Sequence, residues 1–174
     1  MGDNRDARRR RPVRRLKHRL SLDAYRGEAA ATFTVCAEGR LETFTNEHVV
    51  ANILLALRRA CGQHRCRILI YCFMPDHVHV ALQGISPSSD IWKAMKLFKQ
   101  LSGYWLSRNL PTVKWQGDFF DHILRDEHEL ARHLRYIAWN PVRRGLVSEW
   151  SEHPFTGSDL PDLPAILGDG KDPA

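Results

Sequence analysis

Two histidines separated by one residue are the first side chains whose types could do chemistry. His77 and His79 follow a turn at Pro75-Asp76, and the apolar residues 68–73 precede that turn. The pattern predicts two strands joined by the turn. Because side chains alternate between the faces of a strand, both imidazoles should point the same way. They could form half of a divalent-metal site, although a partly buried or exposed histidine pair without a metal also fits this stretch.

A tyrosine and an asparagine further along the chain could complete such a site. Tyr136 and Asn140 are four residues apart in a segment with helical spacing, so they share one helix face. The phenol becomes a useful nucleophile when a metal polarises its target or a base takes its proton. The amide oxygen is an acceptable ligand for Mg²⁺ or Mn²⁺. The spacing alone also fits an ordinary core tyrosine and a helix-end asparagine before Pro141.

The composition describes one globular domain without a membrane span. The chain has 174 residues, of which 43% are hydrophobic and 26% are charged, and this suits a single domain with an ordinary core. It contains no apolar run of about 18 residues, and its arginine-rich start lacks the apolar stretch of a secretory signal. Four cysteines lack zinc spacing, and most lie in or beside apolar stretches. We therefore expect buried, reduced thiols and a cytoplasmic location.

The net charge of +6 is unevenly distributed along the chain. Residues 1–19 hold nine Lys/Arg against two aspartates, whereas residues 148–174 hold one lysine against six acidic residues. A basic arm on a mildly basic core is typical of nucleic-acid binders, because phosphate neutralisation supplies most non-specific affinity. A disordered, solvated arm without a specific partner is the alternative. We expect residues 1–22 to be a disordered arm whose nucleic-acid contacts are Arg8, Arg9, Arg10, Arg11, Arg14 and Arg15.

The hydrophobic periodicity predicts an alternation of strands and helices. It gives strands at 28–37, 68–73, 77–83 and 115–124, the last with an internal turn, and helices at 47–61, 91–107 and 127–139. Gly62 and Asn140-Pro141 are expected to end the first and third helices. The order predicts an α+β, ferredoxin-like β-α-β-β-α-β fold with an antiparallel sheet, helices on one face and a C-terminal tyrosine-bearing helix. Residues 145–150 should close the core, and residues 151–174 should form a loose, acidic, proline-containing tail.

Basic side chains also follow the later helices. Lys93, Lys96 and Lys99 lie mostly opposite the apolar residues of the second predicted helix. A solvated lysine face explains them, and contact with phosphates is the alternative that the basic arm favours. Arg143 and Arg144, just after the tyrosine segment, are further candidates for DNA contact.

Three blocks of the sequence resemble one known family. Residues 74–80 (Met-Pro-Asp-His-Val-His-Val) resemble the Met-Pro-Asn-His-Val-His motif of single-tyrosine HUH transposases. Trp115-Gln116 and residues 120–125 resemble the segment that precedes the tyrosine helix of those enzymes. Residues 136–147 (Tyr-Ile-Ala-Trp-Asn-Pro-Val-Arg-Arg-Gly-Leu-Val) resemble the signature of the REP-associated tyrosine transposases, bacterial proteins linked to short palindromic repeats. The resemblance covers roughly residues 22–150 in order and spacing.

The resemblance implies a role for each residue of the candidate site. His77 and His79 would bind a divalent ion, Mg²⁺ or Mn²⁺, and Asn140 would help to hold it. Tyr136 would attack a phosphate of single-stranded DNA, form a 5′-phosphotyrosine link and release a 3′-hydroxyl, so the strand could be rejoined without a nucleotide cofactor. The substrate would be a DNA hairpin, bound by a monomer or homodimer of a cytoplasmic, nucleoid-associated protein. Residues 23–150 would be the catalytic domain.

Some residues depart from the family pattern or stay open. Asp76 replaces the commoner asparagine and could strengthen metal attraction or only cap the turn. Trp139 could stack on a base, but packing is favoured, and Asp121 and His122 are expected to be structural rather than catalytic. No residue is an obvious general base for Tyr136. Two other functions also fit: a hairpin-binding protein with weak or lost cleavage, and a phosphoesterase that uses a metal-bound water and does not need the tyrosine.

Overall fold

The computed structural model describes residues 21–167, which form five strands and five α-helices. The arginines of the predicted arm, Arg8, Arg9, Arg10, Arg11, Arg14 and Arg15, lie outside this range. A short 3₁₀ turn at Leu22–Tyr25 precedes the first strand. The elements are β1 (Ala30–Cys36), α1 (Glu47–Gln63), β2 (Cys66–Met74), β3 (His77–Gly84), α2 (Ile91–Asn109), β4 (Phe120–Leu124), α3 (Glu127–Ala138), α4 (Asn140–Arg143), β5 (Thr156–Gly157) and α5 (Leu163–Leu167).

The strands form one antiparallel sheet in the order β4-β1-β3-β2-β5. The first four strands have the order of a ferredoxin-like sheet, because β3 lies between β1 and β2. The predicted α+β fold is confirmed. The pairing of β1 with β3 sets Thr34 opposite His79 and Val35 opposite Val78. Since neighbouring residues face opposite ways, these two pairs lie on opposite faces of the sheet.

One face of the sheet is covered by α1 and α2. Asn46 begins α1 by accepting hydrogen bonds from the backbone N–H groups of His48 and Val49, and Asp90 caps α2 through the N–H of Lys93. The apolar stripes of both helices pack on Phe33, Val35, Val78, Val80 and Leu82 of the strands. This face holds the larger part of the apolar core.

The other face is covered by α3, α5 and the segment that joins them. Its apolar contacts include Leu69 and Cys72 of β2 together with Leu134, Ile137 and Trp139. The histidine side chains of β3 lie on this side, because His77, His79 and Ala81 alternate with Val78, Val80 and Leu82. The candidate site therefore lies under α3 and not under α1 and α2.

Several predicted boundaries are wrong. Helix α1 continues through Gly62 to Gln63, and the left-handed conformation after it is adopted by Arg65 with φ 53°. Helix α2 extends to Asn109. Strand β4 is shorter than predicted, and Trp115 forms only an isolated bridge with Ala37. Helix α3 ends at Ala138, just before Asn140-Pro141, as predicted, but α4 begins there, because proline is tolerated in the first turn of a helix.

The expectation of a loose tail is wrong for residues 151–167. Strand β5 pairs with Tyr71 and Cys72 of β2, the Ser158 hydroxyl donates to the Leu69 carbonyl at 2.7 Å, and Arg135 Nε donates to the Leu167 carbonyl at 2.7 Å. Leu160, Leu163 and Leu167 pack on the second face at helical spacing. Of residues 145–150, Trp150 packs against the core as predicted, whereas Leu146 is 46% exposed.

The cysteines and the lengths of the helices bear on two expectations from the composition. The four cysteines Cys36, Cys61, Cys66 and Cys72 are buried free thiols, as predicted. Burial raises the pKa of the Cys66 thiol to about 11 and that of Cys72 to about 12, which keeps both protonated at neutral pH. Within residues 21–167, the helices are too short or too polar to cross a membrane.

Candidate active site

The two histidines of β3 converge on one point. The Nε2 atoms of His77 and His79 are 3.0 Å apart, and the ring centroids are 4.7 Å apart with the planes at 85°. His77 is buried, and His79 is half-buried. The predicted pair of imidazoles on one face of the strand is therefore present in the structure.

Each imidazole is anchored through its other nitrogen. His77 Nδ1 donates to the Asp76 carboxylate at 2.5 Å, and His79 Nδ1 shares a hydrogen bond with the Thr34 hydroxyl at 2.9 Å. Arg40 in turn contacts Asp76 at 3.0 Å. The Asp76 carboxylate fixes the tautomer of His77, and both partners fix the ring orientations, so the Nε2 atoms are the ones that face a ligand. Asp76 therefore acts on His77 rather than only on the turn.

The histidine pair is neutral at physiological pH. Burial lowers the pKa of His79 to about 3, and nearby His77 and Arg143 add to this effect. Burial also lowers the pKa of His77, against the opposing influence of Asp76. Partial burial raises the pKa of Asp76, but the hydrogen bond from His77 and the charge of Arg40 outweigh it, and the net pKa is lowered. A neutral imidazole is the form that binds metal ions.

Tyr136 lies beside this pair in the same chain. Its ring centroid is 6.4 Å from that of His79, and the residue is 48% exposed. The Arg143 guanidinium lies 4.2 Å from the centre of the tyrosine ring and also donates to the Tyr136 carbonyl. The structure thus brings together the predicted nucleophile, the two predicted metal ligands and one of the predicted DNA contacts.

Asn140 is buried one helical turn after Tyr136. Its amide nitrogen donates to the Tyr136 carbonyl at 3.0 Å, so the amide oxygen is the atom that could bind a cation. In the described part of the chain, no hydrogen bond joins Asn140 to His77 or His79. Asn140 therefore lies next to Tyr136 at the edge of the site, and it does not contact the histidine pair through a hydrogen bond.

A cleft of about 590 Å³ opens between the sheet and α3. Thr34, His79, His122, His133 and Tyr136 are among the residues that line it. Sequence reasoning missed Thr34 and His133. The spacing of three residues between His133 and Tyr136 places both on one helix face and could have identified the histidine. Thr34 gave no local signal, because its role depends on the register of β1 with β3.

The structure shows the contacts of Asp121, His122 and Trp139, whose roles the sequence alone did not decide. Asp121 accepts a hydrogen bond from the Tyr25 hydroxyl, which fits the predicted structural role. His122 faces the cleft, and its Nε2 is 2.7 Å from Glu129 Oε1. Trp139 is 7% exposed and packs in the core of the second face, which confirms packing as its role. Its Nε1 has no hydrogen-bond partner among the described residues.

The candidate DNA contacts fall into two groups. Lys93 and Lys96 are exposed on α2, on the opposite face of the sheet from the histidines. Lys99 Nζ donates to the carbonyls of Gln116 and Gly117 at 2.6 and 2.9 Å and so holds the loop before β4. The charges of Arg143 and Arg144, by contrast, lower the pKa values of the histidine pair, which places both arginines close to it.

An antiparallel ferredoxin-like sheet, a strand with paired histidines and a tyrosine on the helix above them together define the HUH class of single-tyrosine transposases. The chain belongs to the family described as IS200-like transposases, whose family model matches residues 28–138. It is thus a transposase, and the resemblance identified in the sequence is confirmed.

Individual relatives agree with this family. A protein of Haemophilus influenzae named as a REP-associated tyrosine transposase is 25% identical over 139 residues, which cover 71% of this chain and 76% of the relative. The REP-associated tyrosine transposase of Escherichia coli K12 is 30% identical over 86 residues, 48% of either chain. A solved structure of a REP-associated tyrosine transposase bound to a REP hairpin superimposes with a TM-score of 0.72 at 21% identity. That match covers 90% of this chain and 93% of the other and supports the fold.

Proposed function

We propose that this transposase cleaves and rejoins single-stranded DNA next to a folded hairpin, in a metal-dependent reaction that passes through a 5′-phosphotyrosine intermediate. The observation that carries the proposal is the convergence of His77 Nε2 and His79 Nε2, 3.0 Å apart, beside Tyr136 of the same chain. The names of the relatives support the choice of a hairpin substrate.

The residues present fit a divalent ion at the histidine pair. Two imidazole nitrogens that bind one ion at about 2.1 Å and at right angles to each other lie about 3.0 Å apart. His77 and His79 match that spacing, with Asn140 as a candidate third ligand through its oxygen. Mg²⁺ and Mn²⁺ are the ions we propose. When bound, the ion would neutralise charge that develops on the phosphate oxygens during transfer.

The Thr34 hydroxyl allows the pair to exist with and without an ion. Without an ion, the contacts suit a chain of hydrogen bonds in which Thr34 donates to His79, His79 to His77, and His77 to Asp76. When the His79 proton moves from Nε2 to Nδ1, through solvent, rotation of the hydroxyl lets Thr34 accept from Nδ1 instead. Both Nε2 lone pairs are then available to a ligand, and no side chain has to move far.

The protein groups around Tyr136 suit attack on a phosphate. Its phenol oxygen would lose its proton to solvent and bond to phosphorus as the bond to the 3′-oxygen breaks. The 3′-oxygen would take a proton from solvent, which leaves the 5′-phosphate on the enzyme and a free 3′-hydroxyl. Arg143, in contact with the tyrosine ring, would bind a phosphate oxygen through charge-assisted hydrogen bonds, and Arg144 would add positive charge nearby. Because Tyr136 and His79 belong to one chain, we propose that a single protomer holds a complete site.

The remaining basic residues would add affinity for the hairpin rather than chemistry. The arginines of the arm at residues 1–22 would neutralise phosphates, and Lys93 and Lys96 would reach DNA only on the opposite side of the sheet. Lys99 would act indirectly, through the loop that it holds. We propose that residues 23–150 carry all the catalytic groups of the domain, and residues 151–167 pack on its second face.

The direct test is a denaturing gel of the protein incubated with labelled single-stranded hairpins and Mn²⁺ or Mg²⁺. We expect the 3′-labelled strand to shift by the mass of the protein, because the link is to the 5′-phosphate, and the 5′-labelled strand to shorten without a shift. Tyr136→Phe and chelator should each abolish the adduct. Tyr104→Phe is the matched control, since Tyr104 is an exposed tyrosine of α2.

Three other outcomes are informative: one would contradict the assigned nucleophile, and two would indicate a different function. An adduct that persists in Tyr136→Phe would refute the assigned nucleophile. Shortened strands without any adduct, in both the wild type and Tyr136→Phe, would indicate hydrolysis by a metal-bound water. Tight hairpin binding without product at every metal concentration would indicate a binding protein that has lost cleavage.

A further inference from the structure

A second group of metal-ligating side chains lies in the cleft, and the proposed strand transfer does not use it. His122 of β4 and Glu129 and His133 of α3 each offer one ligand atom, and these three atoms all lie within 4.8 Å of one another. Glu129 and His133 are four residues apart, so they share a helix face, and His122 approaches from the sheet. His122 and His133 line the same cleft as Tyr136.

The carboxylate of this group is held in place from several sides. Glu129 Oε1 is 2.7 Å from His122 Nε2, and Oε2 accepts the backbone N–H of Arg125 at 2.8 Å. Its own backbone N–H donates to the Asp126 side chain that caps α3. The hydrogen bond from His122 lowers the pKa of Glu129 to about 2, so the carboxylate is charged at neutral pH. Burial lowers the pKa of His133, which favours its neutral form.

We propose that His122, Glu129 and His133 form a second metal site, which binds Zn²⁺ or a similar transition-metal dication. Two imidazoles and one carboxylate are a ligand set that zinc adopts where a fourth position stays open for water or substrate. Imidazole ligands suit such ions better than Mg²⁺, which prefers oxygen. The site is separate from His77 and His79 and does not depend on the function proposed for them.

The geometry requires one modest adjustment. Ligand atoms around a tetrahedral ion at about 2.1 Å lie about 3.4 Å apart, so a spacing at the 4.8 Å limit of the group must close by about 1.4 Å. The rings of His122 and His133 are nearly parallel, at 14°, with centroids 4.9 Å apart. Because His122 Nε2 is already 2.7 Å from Glu129 Oε1, the closing movement falls mainly to His133. His122 can adjust with it, because the His122 side chain is 48% exposed and little packing opposes its rotation.

The test measures Zn²⁺ binding to the full chain carrying His77→Ala and His79→Ala, which removes the other histidine pair. After removal of metal with a chelator, calorimetric titration should give one equivalent of Zn²⁺ at this site. Glu129→Gln or His133→Ala in the same background should weaken binding at least ~10-fold. His128→Ala is the matched control: this exposed histidine lies on α3 outside the group, and its loss should leave the affinity unchanged.

Cobalt gives an independent readout. Co²⁺ in place of Zn²⁺ should produce visible absorption bands that His133→Ala abolishes and His128→Ala retains. Circular dichroism checks that each variant is folded, and if the double-alanine background does not fold, the wild type and Glu129→Gln are compared for the loss of one equivalent. Zn²⁺ binding that is absent, or unaffected by both Glu129→Gln and His133→Ala, would overturn the proposal. His122 and Glu129 would then be a hydrogen-bonded pair only.

Discussion

The two faces of the sheet are built from the same strands but carry different side chains. On β3, Val78 and Val80 point towards α1 and α2, whereas His77 and His79 point towards α3. The first face is filled by interlocking apolar side chains. The second combines a smaller apolar cluster with the histidine pair, the cleft and the tyrosine helix.

This division indicates how the site is kept rigid. A strand whose alternate residues are locked into a close-packed core has little freedom to shift, so the imidazoles on its other side are held in position without additional loops. The second face can then tolerate an open cleft and buried polar groups. We expect substitutions on the first face to act on stability, and those on the second face to act on binding and chemistry.

The largest expected effect on stability comes from the first face. Phe98→Ala in α2 removes a fully buried ring, and we expect the free energy of unfolding to fall by about 3–5 kcal/mol. Chemical denaturation measures this change. Lys96→Ala, two residues earlier and exposed, is the control and should change stability little. A loss below about 1 kcal/mol for Phe98→Ala would show that this face is less tightly packed than the structure indicates.

The next effect concerns metal affinity on the second face. Asp76→Asn keeps an acceptor for His77 Nδ1 but removes the negative charge, and we expect the dissociation constant for Mn²⁺ to rise ~10–100-fold. Calorimetric titration of the folded variant measures it. Glu42→Gln makes the same chemical change at an exposed position on the rim of the small cavity that includes Asp76. An equal effect of both substitutions would mean that Asp76 acts only as a general negative charge.

A smaller effect should appear in the acid stability of the metal-free protein. Because burial lowers the pKa of His79 to about 3 in the folded state, the unfolded chain binds more protons below its ordinary pKa near 6.5. Stability should therefore fall as the pH drops from 6.5 towards 3, by at most about 1.4 kcal/mol per pH unit for this group.

Thermal unfolding in chelator between pH 7.5 and pH 5 measures this slope. His79→Gln removes the titrating group and should flatten it, while His64→Gln outside the site should not. An identical slope in His79→Gln would show that other groups, such as His153, dominate the response to acid.

The smallest effect should come from the lysines of α2. Lys93→Ala with Lys96→Ala should weaken hairpin binding roughly 2–5-fold and reduce its salt dependence, because each lysine neutralises at most one phosphate. Adduct formation at saturating DNA should stay unchanged. Arg143→Ala, on the second face, should lower adduct formation itself. If the lysine variant abolished the adduct, the functional separation of the two faces would be wrong.

The sequence predicted correctly the features that are set by residues close together in the chain. Strand alternation placed His77 and His79 on one side, and the spacing of Tyr136 and Asn140 placed both on one helix face. Signals that depend on distant pairing were missed, such as the contact of Thr34 with His79. The leucines of α5 were assigned to a loose tail, because prolines and acidic residues around them obscured a helix of only five residues.

The pairing of β4 with β1 has a consequence for the order of events during synthesis. Thr34 and Tyr136 are more than a hundred residues apart, and β4 must join the edge of β1 before the cleft has both of its walls. Such long-range pairings form slowly, since the intervening chain must first be brought together. A nascent chain that has left the ribosome only as far as α2 carries the histidine pair but not Tyr136. Under the proposed mechanism, the ability to break DNA would therefore arise only after α3 has been synthesised.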